Sequence, residues 1–133
     1  MGTGLEMVLR ILLAAALGAV IGYQRKRAGK PAGLRTHILI CVGAALFTVV
    51  SIYGFGIAGD TARVAAGVVA GIGFIGAGAI IRGGEGIVAG ITTAATIWAV
   101  AAIGLATGAG LYLVSAVTTV VVLIVLFLPH HDS

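Results

Sequence analysis

The stretch GIVAGITTAATIWAVAAIGLATGAGLYLVSAVTTVVVLIVLFLPHH, residues 86–131, holds no charged side chain over 46 residues, taking histidine as neutral. Wound as one α-helix it would reach about 69 Å at about 1.5 Å per residue, against a bilayer core about 30 Å thick. It must therefore turn back on itself. GLATGAG at 104–110 is where it can, because its three glycines punctuate an otherwise apolar run. Two spans follow, at about 87–105 and 110–128.

Working outward, the preceding run is bounded by Arg63 and Arg82 with no charge between them. The run at 34–55 is charge-free from Thr36 onward, and the run at 5–23 carries only Glu6 and Arg10. Each is long enough to cross a bilayer, which takes about 17–25 mainly apolar residues. Composition agrees: 60% of the 133 residues are hydrophobic, 22 more are glycine and 9% are charged. A soluble domain this small carries about 25% charged residues and needs them to cover its surface. An ordinary soluble domain, a disordered segment and a disulfide-stapled module are excluded. The expectation is one all-α integral membrane domain over 1–133, with about five transmembrane helices at 5–23, 34–55, 63–82, 87–105 and 110–128. No basic segment precedes the first run, so it reads as a span rather than a cleavable leader.

The net charge of +4 is concentrated. Arg25, Lys26, Arg27, Lys30 and Arg35 fall between two spans, the pattern of a cytoplasmic loop and not of a face that tracks nucleic-acid phosphates. This orientation puts the N-terminus outside and the C-terminus, with His130 and His131, in the cytoplasm. Arg10 and Arg63 then lie on the outer side. Cys41, the single cysteine, reads as a buried inert thiol. A shift of 57 residues superimposes Arg25 on Arg82, Gly33 on Gly90 and Thr36 on Thr93, which suggests two hairpins related as parallel repeats. The high Ala and Gly content gives chance similarity about the same weight.

Lipid tails are as apolar as leucine, so helices associate through close backbone packing that small residues permit. Gly18 and Gly22 in span 1, and Gly67, Gly71, Gly73, Gly76 and Gly78 in span 3, are the helix-packing candidates. Their spread around span 3 points to a central position for it. The string Gly71-Ile72-Gly73-Phe74-Ile75-Gly76 matches the dinucleotide fingerprint but lacks its strand, helix and acidic residue, and is rejected.

Polar groups within the spans are the functional candidates. Glu6 and Arg10, four apart, can form an ion pair near the outer face, where snorkelling eases their burial. Gly33-Leu34-Arg35-Thr36-His37 opens span 2. Its helix start and Arg35 suit an anion, a lipid phosphate or an acidic partner, with Thr36 as helix cap the plainer alternative. His37 can titrate or simply bridge helices. Thr92, Thr93 and Thr96, near Trp98, can glue helices or line a narrow polar path. Asp60 with Arg63, and Arg82 with Glu85, read as charges at the mouths of span 3. No nucleophile–base pair and no metal-ligand set stands out, so no catalytic residue, metal or cofactor is expected.

GLRTH at 33–37, VGAALFT at 42–48, RVAA at 63–66, GIGFIGAG at 71–78 and TTAATIWA at 92–99 together resemble the MgtC/SapB membrane family over about residues 6–125. The resemblance implies a bacterial inner-membrane protein of about five spans and the short, SapB-like form without a soluble C-terminal domain. It also implies a role in magnesium limitation, acid stress or virulence, since the family's named member inhibits other membrane proteins, the F-type ATP synthase among them. The family-matched positions are Arg35, Thr36, His37, Arg63, Thr92, Thr93 and Trp98. Gln24, Gly67 and Ala70 stand where the family often has an acid, a glutamine and a serine, which weakens an ion-moving role. The expected function is non-enzymatic: binding of lipids or other membrane proteins, as a homodimer. A small channel or transporter for magnesium or protons through His37, Thr92, Thr93 and Thr96 is the alternative.

Overall fold

The computed structural model describes residues 3–54, 61–82 and 87–128. Five helices occupy them: α1 Thr3–Arg27, α2 Leu34–Tyr53, α3 Thr61–Arg82, α4 Ile87–Gly108 and α5 Tyr112–Leu126. No strand occurs among the described residues. In hydrocarbon every backbone N–H and C=O must be paired within the segment, and a helix does this for any apolar sequence. Four of the helices are long and apolar enough to cross a membrane, while α5 has 15 residues. At about 1.5 Å per residue it rises about 22 Å, short of a full crossing.

Two of the helix ends are written in glycine. After α1, the Lys30 N–H bonds the Arg25 carbonyl at 3.1 Å and the Gly29 N–H bonds Lys26 at 3.0 Å, with Gly29 at φ +74°. After α4, the Leu111 N–H bonds Ala106 at 2.9 Å and the Gly110 N–H bonds Thr107 at 3.0 Å, with Gly110 at φ +86°. Both are Schellman closures, which need a residue in the left-handed region. The turn expected at 104–110 is therefore confined to its last residues, and α4 runs on through Gly104 and Gly108. These two do not break the helix. They let it touch α2, since a Cβ at Gly104 would collide with Cys41 and Ala44, and one at Gly108 with Ala45 and Thr48.

Gly110→Ala is expected to destabilise the fold by about 1–2 kcal/mol. The left-handed backbone strains any L side chain, and the new Cβ would lie 3.0 Å from Arg10 Nη2. Unfolding by graded SDS in mixed micelles measures it.

The tightest pairs are α1 with α2 and α3 with α4, and α4 also packs on α2, α1 and α5. Gly18 and Gly22 of α1 press against the backbone at His37 and Leu34, and Gly90 of α4 presses against Ile80 of α3. The order of these contacts makes α1 antiparallel to α2 and α3 antiparallel to α4. Gly104 and Gly108 meet Cys41 and Ala45 in the same order, so α2 and α4 run parallel. Two like-oriented hairpins result, as the 57-residue offset suggested. The core is Ala14, Ile21, Cys41, Ile97, Val100 and Ile103.

One expectation is corrected. The central helix is α4, and α3 lies at the edge. Of the α3 glycines, Gly76 packs on Ala94, while a Cβ at Gly67, Gly71, Gly73 or Gly78 would meet nothing within 4 Å. Glycines on every side of a rod permit contact without directing it. Gly104 and Gly108, four apart on one face, do direct it.

Candidate functional site

Two polar clusters occupy opposite ends of the bundle. The first surrounds Arg10 on α1, whose residue is 7% exposed. Its Nη2 donates to Glu6 Oε2 at 2.7 Å, its Nη1 to the Gly108 carbonyl at 2.9 Å and its Nε to the Tyr112 hydroxyl at 3.0 Å. Tyr112 in turn donates to Glu6 Oε2 at 2.9 Å. The guanidinium also lies 5.3 Å from the Tyr53 ring centre. Four helix ends thus meet on one cation. The carbonyl it takes from Gly108 belongs to the last turn of α4, where backbone acceptors have no helical partner. The Glu6–Arg10 pair is present as expected, but Arg10 does not snorkel; it turns inward and ties α1 to α2, α4 and α5.

The second cluster lies at the end carrying the basic loop. Arg25, 3% exposed, donates from Nη2 to Thr93 Oγ1 on α4 at 3.1 Å. His37 is fully buried, and its Nδ1 donates to the Gly33 carbonyl at 2.7 Å. In the neutral ring Nε2 is then an acceptor. Among the described residues neither His37 Nε2 nor Gln24 Oε1 has a hydrogen-bond partner. Arg25 is thereby corrected from a loop charge to a buried interhelical tie. Thr93→Val removes its hydroxyl acceptor and is expected to cost about 1 kcal/mol of helix association, read in the same SDS titration.

Of the other candidates, Thr96 is buried, but its hydroxyl donates to the Thr92 carbonyl at 2.8 Å within its own helix. Arg35 and Arg63 are exposed, Thr36 and Thr92 half-buried, and Trp98 is 56% exposed and faces away from the bundle. Thr36 is not the cap of α2; Gly33 holds that position and supplies no side-chain cap. Gly33 can do so because the His37 N–H still reaches its carbonyl at 3.2 Å. The structure therefore joins Thr93 to Arg25 and buries His37 in the same end of the bundle, and leaves Arg35, Arg63 and Trp98 outside. Asp60, Glu85, His130 and His131 lie outside the described residues. Sequence reading missed the buried Arg25, and missed Tyr53 and Tyr112 as partners of Arg10. The signal for Arg25 was present: Arg10, Ala14, Gly18, Ile21 and Arg25 recur at helical spacing, and all five are buried. Nothing comparable marks the tyrosines, which come from other helices.

Apolar rods held by interior polar ties define a polytopic α-helical membrane protein. The family model described as MgtC family matches residues 11–131, and the chain belongs to the MgtC family. It is 47% identical over 132 residues to "Putative magnesium transporter YhiD" of Escherichia coli (strain K12), covering 94% of this chain and 61% of that protein. "Protein SapB" of Bacillus subtilis (strain 168) is 40% identical, over 93% of this chain and 57% of its own length. "Protein MgtC" of Brucella abortus (strain 2308) is 48% identical over 109 residues, 82% of this chain and 45% of that protein. The chain thus spans about half to three-fifths of these relatives. No solved structure matches it.

Proposed function

We propose that this protein is a non-enzymatic inner-membrane component that acts by binding other membrane proteins or lipids, in a process tied to magnesium limitation. The observation that carries the reading is α3. In a bundle whose other spans bury small residues against neighbours, it leaves Gly67, Gly71 and Gly78 uncovered on one face with the exposed Phe74. Close helix packing is the chief attraction between helices in lipid, so an uncovered small-residue face is a surface for association. A second copy of the chain is one partner such a face suits, and a homodimer is part of the proposal. The magnesium link comes from the name of the Escherichia coli relative. The basic loop orients the helices with Lys30 in the cytoplasm and the N-terminus outside. Labelling of Lys30 by an impermeant reagent in intact cells would contradict that orientation; protection until the membrane is opened is expected.

A second reading, transport of magnesium or protons, draws on the buried His37 and Gln24 acceptors, since polar groups within spans mark ion paths. The Arg25 cation in the same cluster repels a passing cation, which is why binding is preferred. Purified protein in liposomes decides between them. The binding reading expects magnesium flux no higher than in empty vesicles. Flux abolished by His37→Ala would establish transport instead.

A further inference from the structure

Between α2 and α3 lies an open groove of about 620 Å³ with a lining that is apolar throughout. Leu39, Gly43 and Phe47 line it from α2, and Gly67, Gly71 and Ile75 from α3. The α2 positions are four apart, and one more step toward the helix start reaches Arg35, which is exposed. Arg82 ends α3 at the same end of the bundle, because α2 and α3 are antiparallel. Arg35 thus stands at the head of one long apolar slot, and α2 and α3 carry no acidic side chain among the described residues.

We propose that this groove holds an anionic phospholipid, with an acyl chain between α2 and α3 and the phosphate at Arg35. The proposal rests on the binding reading above and names lipid as one of the components bound. Charge and shape select the occupant. From Leu39 to Phe47 the slot runs about 12 Å along α2, and from Val64 to Ile75 about 16 Å along α3. That is close to half of a bilayer core about 30 Å thick, the depth of one leaflet's chains, whereas a spanning helix needs the whole of it. The glycines make the slot by withholding side chains. Guanidinium pairs bidentately with the phosphate of either lipid, but the choline ammonium of a zwitterionic headgroup repels Arg35, so a net anionic headgroup is favoured.

The test uses the purified full chain, delipidated and titrated with phosphatidylglycerol or phosphatidylcholine, with bound lipid counted by native mass spectrometry. The wild type is expected to retain phosphatidylglycerol in preference to phosphatidylcholine. Arg35→Gln is expected to reduce that preference about fivefold while leaving chain binding in place. Gly71→Leu fills the slot and is expected to weaken both lipids by about tenfold or more. Ala70→Leu, exposed on another face of the same helix and not part of the groove lining, is expected to bind like wild type. Equal thermal stability of the two leucine variants shows that both fold. Retention of lipid by Gly71→Leu, or a headgroup preference indifferent to Arg35, overturns the proposal. So does a dimer turned monomer by Gly71→Leu with lipid binding intact, which would make the groove an interface between copies. If lipid binding fails while crosslinks from Phe74 to a membrane protein persist, only the lipid assignment falls.

Discussion

Arg10→Gln is expected to lower the stability of the bundle by about 2–4 kcal/mol, the largest loss from any single polar substitution in this chain. The cost has two parts. The Gly108 carbonyl, the Tyr112 hydroxyl and the Glu6 carboxylate lose a shared cationic donor, and Glu6 is left as an unpaired charge beside lipid. Glu6 keeps a side chain 29% exposed, so water relieves part of that charge and holds the loss below that of a fully buried pair. Tyr112→Phe removes one hydroxyl and is expected to cost about 1 kcal/mol. Because Arg10 joins α1 to the α4–α5 turn, the loss is local as well as global. A cysteine pair placed across α1 and α5 is expected to crosslink in the parent and far less in the Arg10→Gln background. SDS titration of both variants, with crosslinking at low SDS, checks the two effects separately. Equal midpoints for parent and Arg10→Gln would show that the cation is not a structural tie.

The second large effect separates two kinds of glycine. Gly104→Ala is expected to destabilise by about 2–3 kcal/mol, because its Cβ alone overlaps Cys41 and lies 2.9 Å from the Ala44 Cβ. Cys41 meets it with backbone, which cannot rotate away. Gly67→Ala is expected to stabilise by up to about 1 kcal/mol, since its Cβ meets nothing within 4 Å and alanine favours a helix. Both are read as shifts in the SDS midpoint. Opposite signs for the same chemical step would show that α4 packs centrally and that α3 holds its glycines for something outside the chain. A loss at Gly67 matching that at Gly104 would put α3 inside the bundle.

The contrast marks what sequence can and cannot specify in such a protein. The number of helices and their approximate bounds follow from apolar length and the placement of charges, because lipid leaves the backbone few alternatives. Gly110 and Gly104 were read together as one breaker; Gly110 ends the helix and Gly104 is a packing residue. A glycine string looks the same in either role, and only the approach of a neighbouring backbone distinguishes them. The Glu6–Arg10 pair is local in sequence and was readable from its spacing. The bonds from Arg10 to Gly108 and Tyr112 cross about a hundred positions, and no periodicity within α1 points to them. Arg25 was absorbed into the topology signal of its basic neighbours. Its place on the stripe with Arg10 and Gly18 was the more informative fact.

The central claim, that the uncovered face of α3 is where this protein meets other membrane components, is tested most directly by a photo-crosslinking amino acid at Phe74, 82% exposed on that helix. Irradiated in native membranes, Phe74 is expected to yield discrete adducts with a second copy, another membrane protein or lipid. The same group at Ile97, 1% exposed in the core, is expected to yield only bonds within the chain. Phe74 adducts no more abundant than those from Ile97, together with magnesium flux in liposomes, would contradict the account.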